Sequence, residues 1–491
     1  MKKLFWIFIT SPVLFSARIW AQEADTVLLD EVVVKALKTI PMNNRWSDLQ
    51  PVDLVTVAGA NGNLYKALET LPGTQIQGES GRLLVRGGSS DETQTYIDGM
   101  HVLNPYTSTA ENTPARGRYS PFMFSGINLS TGGHSQEYGE ALSAVLPLET
   151  KDNSRINKVG ISPSTVGIGG GGNHAFRNAS LALNLDYQNL ALYNKVYPGR
   201  IDFKKPYQMF SGATQFRYTL SGSSVFKIYV GYDRTAYSNY TDNNRYLFCL
   251  GENNVYLNST FRTAISGGWE WFSGMAYSLF DRKVDGAVTE GDHWCEKQTE
   301  LHFKTKLSKK FHPTFRMDVG FESFLRQYET RYSQVSVADN KKISPTIEAG
   351  FVAASYYPVE NLKAELSFRT EYTSLNRKMN FSPRLSLCYS WRDLVLSATA
   401  GRYTQLPNVK YLARQSSLLS EACRQYNVGG LYKAEGRFYK AEFYYKKYDR
   451  LVLYTPAGLT SGGYGSSKGM DLYFEDRSLM RNLECNLSYS F

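Results

Sequence analysis

Four residue types that bind metal ions lie together in one short stretch of this 491-residue chain. The stretch "GDHWCE" at residues 291–296 contains Asp292, His293, Cys295 and Glu296. Carboxylate, imidazole and thiolate groups are the usual ligands of zinc. No second cluster of such residues is evident in the sequence, and the neighbouring residues indicate a surface loop. We therefore predict a loop here and no metal centre.

Two further patterns could indicate an enzyme. The stretch "GIGGGG" at residues 167–172 has the form G-x-G-x-x-G. A dinucleotide site also needs a helix after the glycines and an acidic residue about 20 positions further on, whereas strand-like "NHAFRNASLALNLDY" follows here. We predict a hairpin turn at the glycines. The six histidines are scattered and form no Ser–His–Asp set, so we expect no enzyme and no cofactor.

Charged residues are instead arranged with a period of two, from about residue 140 onward. In "LKAELSFRTEY" (362–372), leucine, alanine and aromatic residues alternate with charged or polar residues. The stretches "SLALNLDY" and "FYKAEFYYKK" repeat this alternation. A period of two places all apolar side chains on one face of a sheet. Roughly 16–18 such segments follow one another along the chain.

This alternation can build a soluble β-protein or a membrane barrel. Aromatic residues make up 14% of the chain, with 35 Tyr, and tyrosine favours lipid–water interfaces. Alternating strands of about ten residues are typical of outer-membrane barrels. We therefore predict an all-β, antiparallel transmembrane barrel whose charged face lines the lumen.

The N-terminus has the form of a secretory signal peptide. Lys2 and Lys3 precede an apolar stretch, and a cleavage site follows Ala21. The alternative is an uncleaved membrane anchor, but the apolar run is shorter than the roughly 20 residues that span a bilayer. The predicted divisions are a signal peptide (1–21), an N-terminal segment (22–50), a small α+β domain (51–140) and the barrel (141–491).

Cysteines and net charge add little. Cys249 and Cys295 lie in or beside expected loops and are candidates for a disulfide, although an odd total of five cysteines specifies no scaffold. The net charge of +10 is spread along the chain. It forms no basic block, so we expect no nucleic-acid partner.

Three motifs follow one another along the chain: "LDEVVVKA" (29–36), "LLVRGGSSDETQTYIDGMHVLNPY" (83–106) and a Gly-rich stretch at 124–152. Together they resemble the motifs of TonB-dependent outer-membrane receptors. "LDEVVVKA" (29–36) is similar to the energy-coupling TonB box. "LLVRGGSSDETQTYIDGMHVLNPY" (83–106) resembles the plug-domain signature. "FSGINLSTGGHSQEYGEALSAVLPLETKD" (124–152) resembles the end of the plug and the start of the barrel. The resemblance implies that the α+β domain fills the lumen of a barrel that has 22 strands in the family.

The resemblance also implies roles for individual residues. The box residues are expected to bind TonB by adding a strand to its sheet: Asp30, Glu31, Val32, Val33 and Val34. The plug motifs contribute a second set: Arg86, Gly87, Gly88, Asp98, Gly99, Gly132, Gly133, Glu137, Tyr138 and Gly139. Asp98-Gly99 is a hairpin signal. A buried charge needs a partner, so we expect Arg86 to pair with a carboxylate such as Glu137 or Asp98.

The implied function is energy-coupled uptake of a scarce or large nutrient across the outer membrane of a Gram-negative bacterium. An iron chelate, a cobalamin, a glycan or a peptide would each fit. The expected partners are the periplasmic domain of TonB, membrane lipid and an extracellular ligand, with a surface lipoprotein as a further candidate. The alternative is a truncated or uncoupled receptor that acts as a passive plugged barrel or a surface-binding protein.

The last segment, "LECNLSYSF" (483–491), has its apolar and aromatic residues on one face. We interpret it as a lipid-facing strand of the late-middle barrel and not as the closing strand. On that interpretation the wall has two unpaired edges, which are costly in lipid. Whether the barrel closes after Phe491 stays open at this point.

Overall fold

The structure is a computed structural model of the whole chain. It describes these residues: 45–49, 57, 60, 63–75, 80–108, 115–151, 157–197, 203–221, 223–240, 246–334, 337–480 and 483–491. The predicted signal peptide and the box residues Asp30–Val34 lie outside them.

A small α+β domain precedes the barrel wall. Its described elements are β1 (Arg45–Leu49), α1 (Leu64–Leu68), β2 (Thr74–Gln75), β3 (Leu84–Val85), β4 (Thr93–Ile97), β5 (Met100–Val102), β6 (Phe124–Ser130) and β7 (Ala144–Thr150). Five strands form one sheet in the order β1-β6-β7-β4-β5, and β2 pairs with β3.

The predicted helix near residue 63 is present. The side chain of Asn63 accepts a hydrogen bond from the N–H of Tyr65 and caps the helix. Leu64, Ala67 and Leu68 face the core, as the spacing predicts. The core of the domain therefore lies between this helix and the five-stranded sheet.

The wall consists of long strands in chain order. They are β8 (Lys158–Ser164), β9 (Gly167–Ala175), β10 (Ala179–Asn189), β11 (Phe203–Ser221), β12 (Ser224–Tyr240), β13 (Leu247–Ile265), β14 (Trp269–Asp285), β15 (His293–His312), β16 (Phe315–Gln334), β17 (Val337–Ile343), β18 (Thr346–Val359), β19 (Leu362–Thr373), β20 (Lys378–Trp391), β21 (Leu394–Gln405), β22 (Glu421–Ala434), β23 (Arg437–Thr455), β24 (Gly458–Met480) and β25 (Leu483–Ser490). Two short helices, α2 (Ala191–Val196) and α3 (Val409–Leu412), lie in connections.

Eighteen described strands thus form the wall, at the upper end of the 16–18 expected. Consecutive strands pair antiparallel, except that β16 pairs with β17 near one end and with β18 over the rest of its length. The strand order is that of a closed barrel in which β25 and β8 are neighbours. The two strands that we expected to be free edges therefore adjoin in the ring.

The division at residue 141 does not match the strand pairing. Strand β7 pairs with β4 and β6 inside the small sheet, and the first wall strand is β8. The alternation of "LSAVLPLE" resembles that of a wall strand, so sequence alone could not separate the two sheets.

We predicted a hairpin turn at the glycine run, and this prediction was wrong. Gly167–Ala175 is a wall strand between β8 and β10. A β carbon at Gly171 would lie 2.6 Å from the carbonyl oxygen of Leu183. Glycine has no side chain to display alternation, so the period-two signal is absent in a strand whose neighbours approach closely.

The wall has its apolar face outside and its charged face inside. On β19, Lys363, Arg369 and Glu371 are buried, whereas Leu366 is 48% exposed. The strands β10 and β23 show the same pattern. Within the described residues, none of the helices is long and apolar enough to cross a membrane.

The two ends of the barrel differ in their connections. Turns of two or three residues join the strands at one end, as between β13 and β14 or between β15 and β16. Longer connections lie at the other end, up to residues 406–420 between β21 and β22. Short periplasmic turns and longer extracellular loops are typical of outer-membrane barrels, so we take the long-loop end as the outer end.

The exposed apolar belt leads to a depth-dependent prediction. Leu366→Arg places a charge in the belt and should lower the free energy of unfolding in lipid vesicles by roughly 2–4 kcal/mol. Tyr372→Arg, near the outer end of the same strand, should cost clearly less because the charge reaches the interface. Denaturant titrations of both variants measure the difference, and equal losses would contradict a lipid-facing outer surface.

Candidate functional site: the plug–barrel interface and the outer chamber

Arg86 is the most enclosed cation of the small domain. Strand β3 ends directly before it, and Arg86 (φ 50°) and Gly87 (φ 73°) turn the backbone. The guanidinium pairs with Glu442 at 2.7 Å and with Asp471 at 2.9 Å, and donates to Asn427 at 3.0 Å. Burial lowers the pKa of Arg86, but the two carboxylates outweigh this and raise it. The cation is therefore permanently charged and satisfied by the wall.

The expected partners of Arg86 were wrong. Asp98 instead accepts hydrogen bonds from the backbone and hydroxyl of Thr150, at 2.9 and 2.6 Å. Glu137 pairs with Lys306 of the wall at 2.6 Å. The motif carboxylates are near Arg86 in sequence, but the Arg86 turn faces strands β23 and β24 across the lumen.

The Asp98-Gly99 hairpin is present as expected. Ile97 pairs with Met100, so the loop has two residues, and both have positive φ, 50° and 82°. This is the primed turn that Asp-Gly favours. The carbonyl of Gly99 accepts a hydrogen bond from Lys304 of the wall at 3.4 Å.

The second motif, around Gly133 and Gly139, lies against the wall at close range. A β carbon at Gly133 would lie 2.5 Å from the hydroxyl oxygen of Thr399, and one at Gly139 would lie 2.2 Å from the guanidinium of Arg369. Tyr138 packs on Tyr96 with 4.8 Å between ring centres. The glycines thus allow the backbone to approach the wall.

Cations of the wall hold this backbone by its carbonyl groups. Lys304 donates to the carbonyl of residue 137 at 2.6 Å, and Arg369 to that of Gln136 at 3.2 Å. Arg384 donates to the carbonyls of residues 134 and 135 at 3.0 and 2.6 Å. Sequence reasoning missed these contacts because a carbonyl carries no sequence signal.

A second buried charge network joins the small domain to the wall near the outer end. Glu140 pairs with Arg326 at 2.7 Å, and Arg326 with Glu300 at 2.6 Å. Glu300 also contacts the ring of His101 at 2.6 Å. The motif analysis named none of these residues, although Glu140 directly follows Gly139.

A third contact involves Arg118, which pairs with both Asp233 and Glu252 of the wall. Ser108 donates to the same Glu252. Three separate regions of the domain are thus fixed to three sectors of the wall. Any opening of the lumen has to break buried ion pairs, each of which leaves an unpaired charge.

His134 differs from the other buried polar groups. Among the described residues, neither ring nitrogen has a hydrogen-bond partner. Burial and then the nearby Arg384, Lys446 and Arg369 hold the pKa of His134 well below its usual value. The ring borders a small cavity with Arg384, Thr399 and Tyr403, so the imidazole is neutral.

The outer ends of β11–β15 carry an inward-facing aromatic and apolar patch, which we call the outer chamber. Its members are Tyr207, Met209, Tyr237, Leu250 and Val284, with Leu190, Phe203, Phe248, Ala287 and Trp294 beside them. Arg282 and Lys410 lie 4.7 and 5.7 Å from the centre of the Trp294 ring. The chamber therefore combines aromatic faces with positive charge.

The four residues that suggested metal ligands do not all lie in the expected loop. The loop ends at Asp292, and the other three residues belong to a strand of the wall. His293, Cys295 and Glu296 belong to β15, where Glu296 faces inward and pairs with Arg282. Asp292 accepts hydrogen bonds from the N–H groups of residues 287, 288 and 289. Burial raises the pKa of Asp292, but these hydrogen bonds outweigh it and lower the pKa.

The disulfide candidate is also not realised. Cys249 lies in β13 and Cys295 in β15, with β14 between them, and both thiols are free. Each cysteine is the third residue of its strand, and the intervening strand β14 separates their backbones.

Comparison with known proteins agrees with this architecture. Residues 54–145 match the family described as TonB-dependent Receptor Plug Domain. The chain carries a TonB-dependent receptor plug domain. The plug domain and the barrel with its apolar exterior indicate an outer-membrane protein of a Gram-negative bacterium, and the family and fold that it matches are those of transport receptors and not of enzymes.

Solved receptors share the fold at low identity. The siderophore receptor PirA from Pseudomonas aeruginosa aligns over 91% of this chain and 85% of its own, with TM-score 0.68 and 13% identity. A mutant of the ferric enterobactin receptor PfeA from the same organism aligns over 94% and 81%, with TM-score 0.73 and 12% identity. The alcaligin receptor FauA from Bordetella pertussis aligns over 91% and 80%, with TM-score 0.69 and 12% identity. No curated protein sequence matches this chain.

The Arg86 contacts predict a large effect of removing one partner. Arg86→Ala leaves Glu442 and Asp471 buried without their cation and should destabilise the docked plug by roughly 3–5 kcal/mol. The double variant Arg86→Met/Asp471→Asn removes the unpaired charge and leaves Glu442 paired with Lys440 at 3.2 Å, so it should recover most of this loss. Hydrogen exchange of residues 80–108 measures plug opening in both. Equal protection in Arg86→Ala and wild type would contradict the role of the ion pairs.

His134 predicts a pH dependence. Its folded pKa lies below the unfolded value of about 6.5, so the unfolded chain binds a proton that the folded protein does not. Stability should be full above pH 6.5 and fall by up to about 1.4 kcal/mol per pH unit below it. Chemical unfolding at pH 7.5, 6.0 and 5.0 should show a smaller fall in His134→Gln than in wild type. Parallel profiles would contradict a neutral buried His134.

Proposed function

We propose that this receptor takes up an iron chelate and that TonB supplies the energy by pulling on the segment around Val33. The observation that carries the proposal is the plug itself. It fills the lumen and is held by buried ion pairs from Arg86, Arg118 and Glu140 to the wall. In this proposal, displacing the plug means breaking these buried ion pairs, and TonB supplies the energy for it.

The outer chamber supports an iron chelate as the ligand class. Aromatic faces such as Tyr237 and Trp294 can stack on the planar rings of a chelator. Lys410 offers positive charge to an anionic complex, whereas Arg282 is already paired with Glu296. The similar structures are receptors for siderophores by their descriptions. The Tyr-rich stretch 235–246 contributes Tyr237 to the chamber, whereas Tyr240 is exposed.

The box residues are proposed to act by strand addition. Val32, Val33 and Val34 favour extended backbone, and an extended segment can add to the edge of a partner's sheet. In this proposal the remaining plug motif residues, Gly87 and Gly88 among them, shape the turns that rearrange under load. A surface lipoprotein stays a candidate partner for ligands that need capture before entry.

Val33→Pro tests the coupling because proline removes a backbone donor from the added strand. Cells that produce the variant should bind 55Fe-enterobactin or 55Fe-alcaligin as wild-type cells do, but their uptake should fall to the level of cells without TonB. Val33→Thr, which keeps a β-branched residue, is the matched control and should retain uptake. Unchanged uptake in Val33→Pro would favour the uncoupled, passive barrel. If the wild-type protein binds none of a panel of iron chelates, iron chelates are excluded as the ligand class. The coupling to TonB would not be excluded by that result.

A further inference from the structure

Three cations form a row on the outside of the wall. Arg402 of β21 is directly opposite Arg424 of β22, and Arg424 is directly opposite Lys447 of β23. Their sequence neighbours Tyr403, Cys423 and Lys446 are buried on the lumen side. Alternation therefore directs the three cations outward, and the Arg424 side chain is 54% exposed. We call Arg402, Arg424 and Lys447 the cationic row.

Like charges directly opposite each other destabilise a sheet. Asp449 pairs with Arg424 at 3.1 Å, and Arg402 donates to the carbonyl of Phe381 at 3.0 Å. A fourth cation, Lys468, lies on the next strand opposite Tyr445. One carboxylate against four cations leaves this part of the surface positive.

Another sector of the wall, β14–β17, has a different arrangement of charges on its outer face. Asp281, Lys297, Glu329 and Lys342 are directly opposite one another across β14, β15, β16 and β17. Their charges alternate in sign, so each pair is attractive. The barrel thus carries one row whose charges alternate in sign and a second row in which one carboxylate, Asp449, faces several cations.

The cationic row also lies at a boundary. Two residues further from the outer end along their strands, Tyr426 and Tyr445 stack with 6.3 Å between ring centres. Val428 and Phe443 follow, and both are more than half exposed. Tyrosine side chains mark the edges of the apolar belt, so the row lies just beyond the belt on the loop side.

We propose that the cationic row, with Lys468 beside it, binds the phosphate groups of a phosphorylated lipid of the outer leaflet. An arginine guanidinium donates paired hydrogen bonds to phosphate oxygens, and lysine adds charge. The apolar surface at Tyr426, Val428 and Phe443 offers the acyl chains a place directly below. A free phosphate would not use that surface, so the arrangement favours a lipid. The proposal does not depend on which ligand the receptor transports.

Lipid A supplies the probe for a binding test. Purified receptor in neutral detergent is titrated with lipid A, and bound lipid is counted by native mass spectrometry. Arg402→Gln/Arg424→Gln/Lys447→Gln should weaken binding about 10- to 100-fold at low ionic strength, since each cation near a lipid surface contributes attraction that salt screens. The matched control Lys283→Gln/Lys297→Gln/Lys342→Gln removes three outward cations of the other sector and should bind as wild type does.

Two further measurements distinguish lipid phosphate from free inorganic phosphate. Dephosphorylated lipid A should bind as weakly to wild type as lipid A binds to the triple variant. Millimolar inorganic phosphate should not displace lipid A, because it lacks acyl chains. The proposal is overturned if the triple variant retains wild-type affinity, if the control loses as much, or if dephosphorylated lipid binds equally. Heat-modifiable migration in gels checks that each variant is folded.

Discussion

Buried charge pairs between plug and wall are the interaction on which the rest of this structure depends. A barrel with an apolar exterior must direct its polar residues into the lumen, and those charges then need partners. The wall alone cannot supply them all. Arg86 of the plug pairs with Glu442 and Asp471 of the wall. Arg118 of the plug pairs with Asp233 and Glu252. The plug therefore neutralises buried charges of the wall as well as occupying its lumen.

A second kind of contact makes the docking tolerant of plug sequence. Lys304, Arg369 and Arg384 donate to plug carbonyls and not to plug side chains. Such bonds need only that the backbone approach closely, which glycine at 133 and 139 permits. They involve no charge on the plug, whereas breaking an Arg86 pair leaves unpaired charges on both the plug and the wall. The interface thus combines bonds to the plug backbone with a few buried ion pairs.

The sequence predicted the local features well and the distant ones poorly. Alternation in 362–372 correctly placed Lys363 and Glu371 inside, and Asp98-Gly99 formed its hairpin. Both depend on neighbours in the chain. The partner of Arg86 lies 385 positions away, at Asp471, and a single sequence carries no signal for such pairing. The prediction for the glycine-rich strand 167–175 was wrong for a local reason. Glycine has no side chain, so the strand shows no alternation in its sequence.

The same strands use charge differently on their two faces. Inside, Glu442 and Lys446 are fully buried and stabilise only when paired. Lys447 directly follows Lys446 in sequence, yet its side chain is exposed on the outer face and interacts with the membrane. A mutation of an inner charge therefore acts through the plug, and one of an outer charge acts through the membrane. Since adjacent residues alternate between these faces, neighbouring substitutions on one strand should separate transport effects from lipid effects.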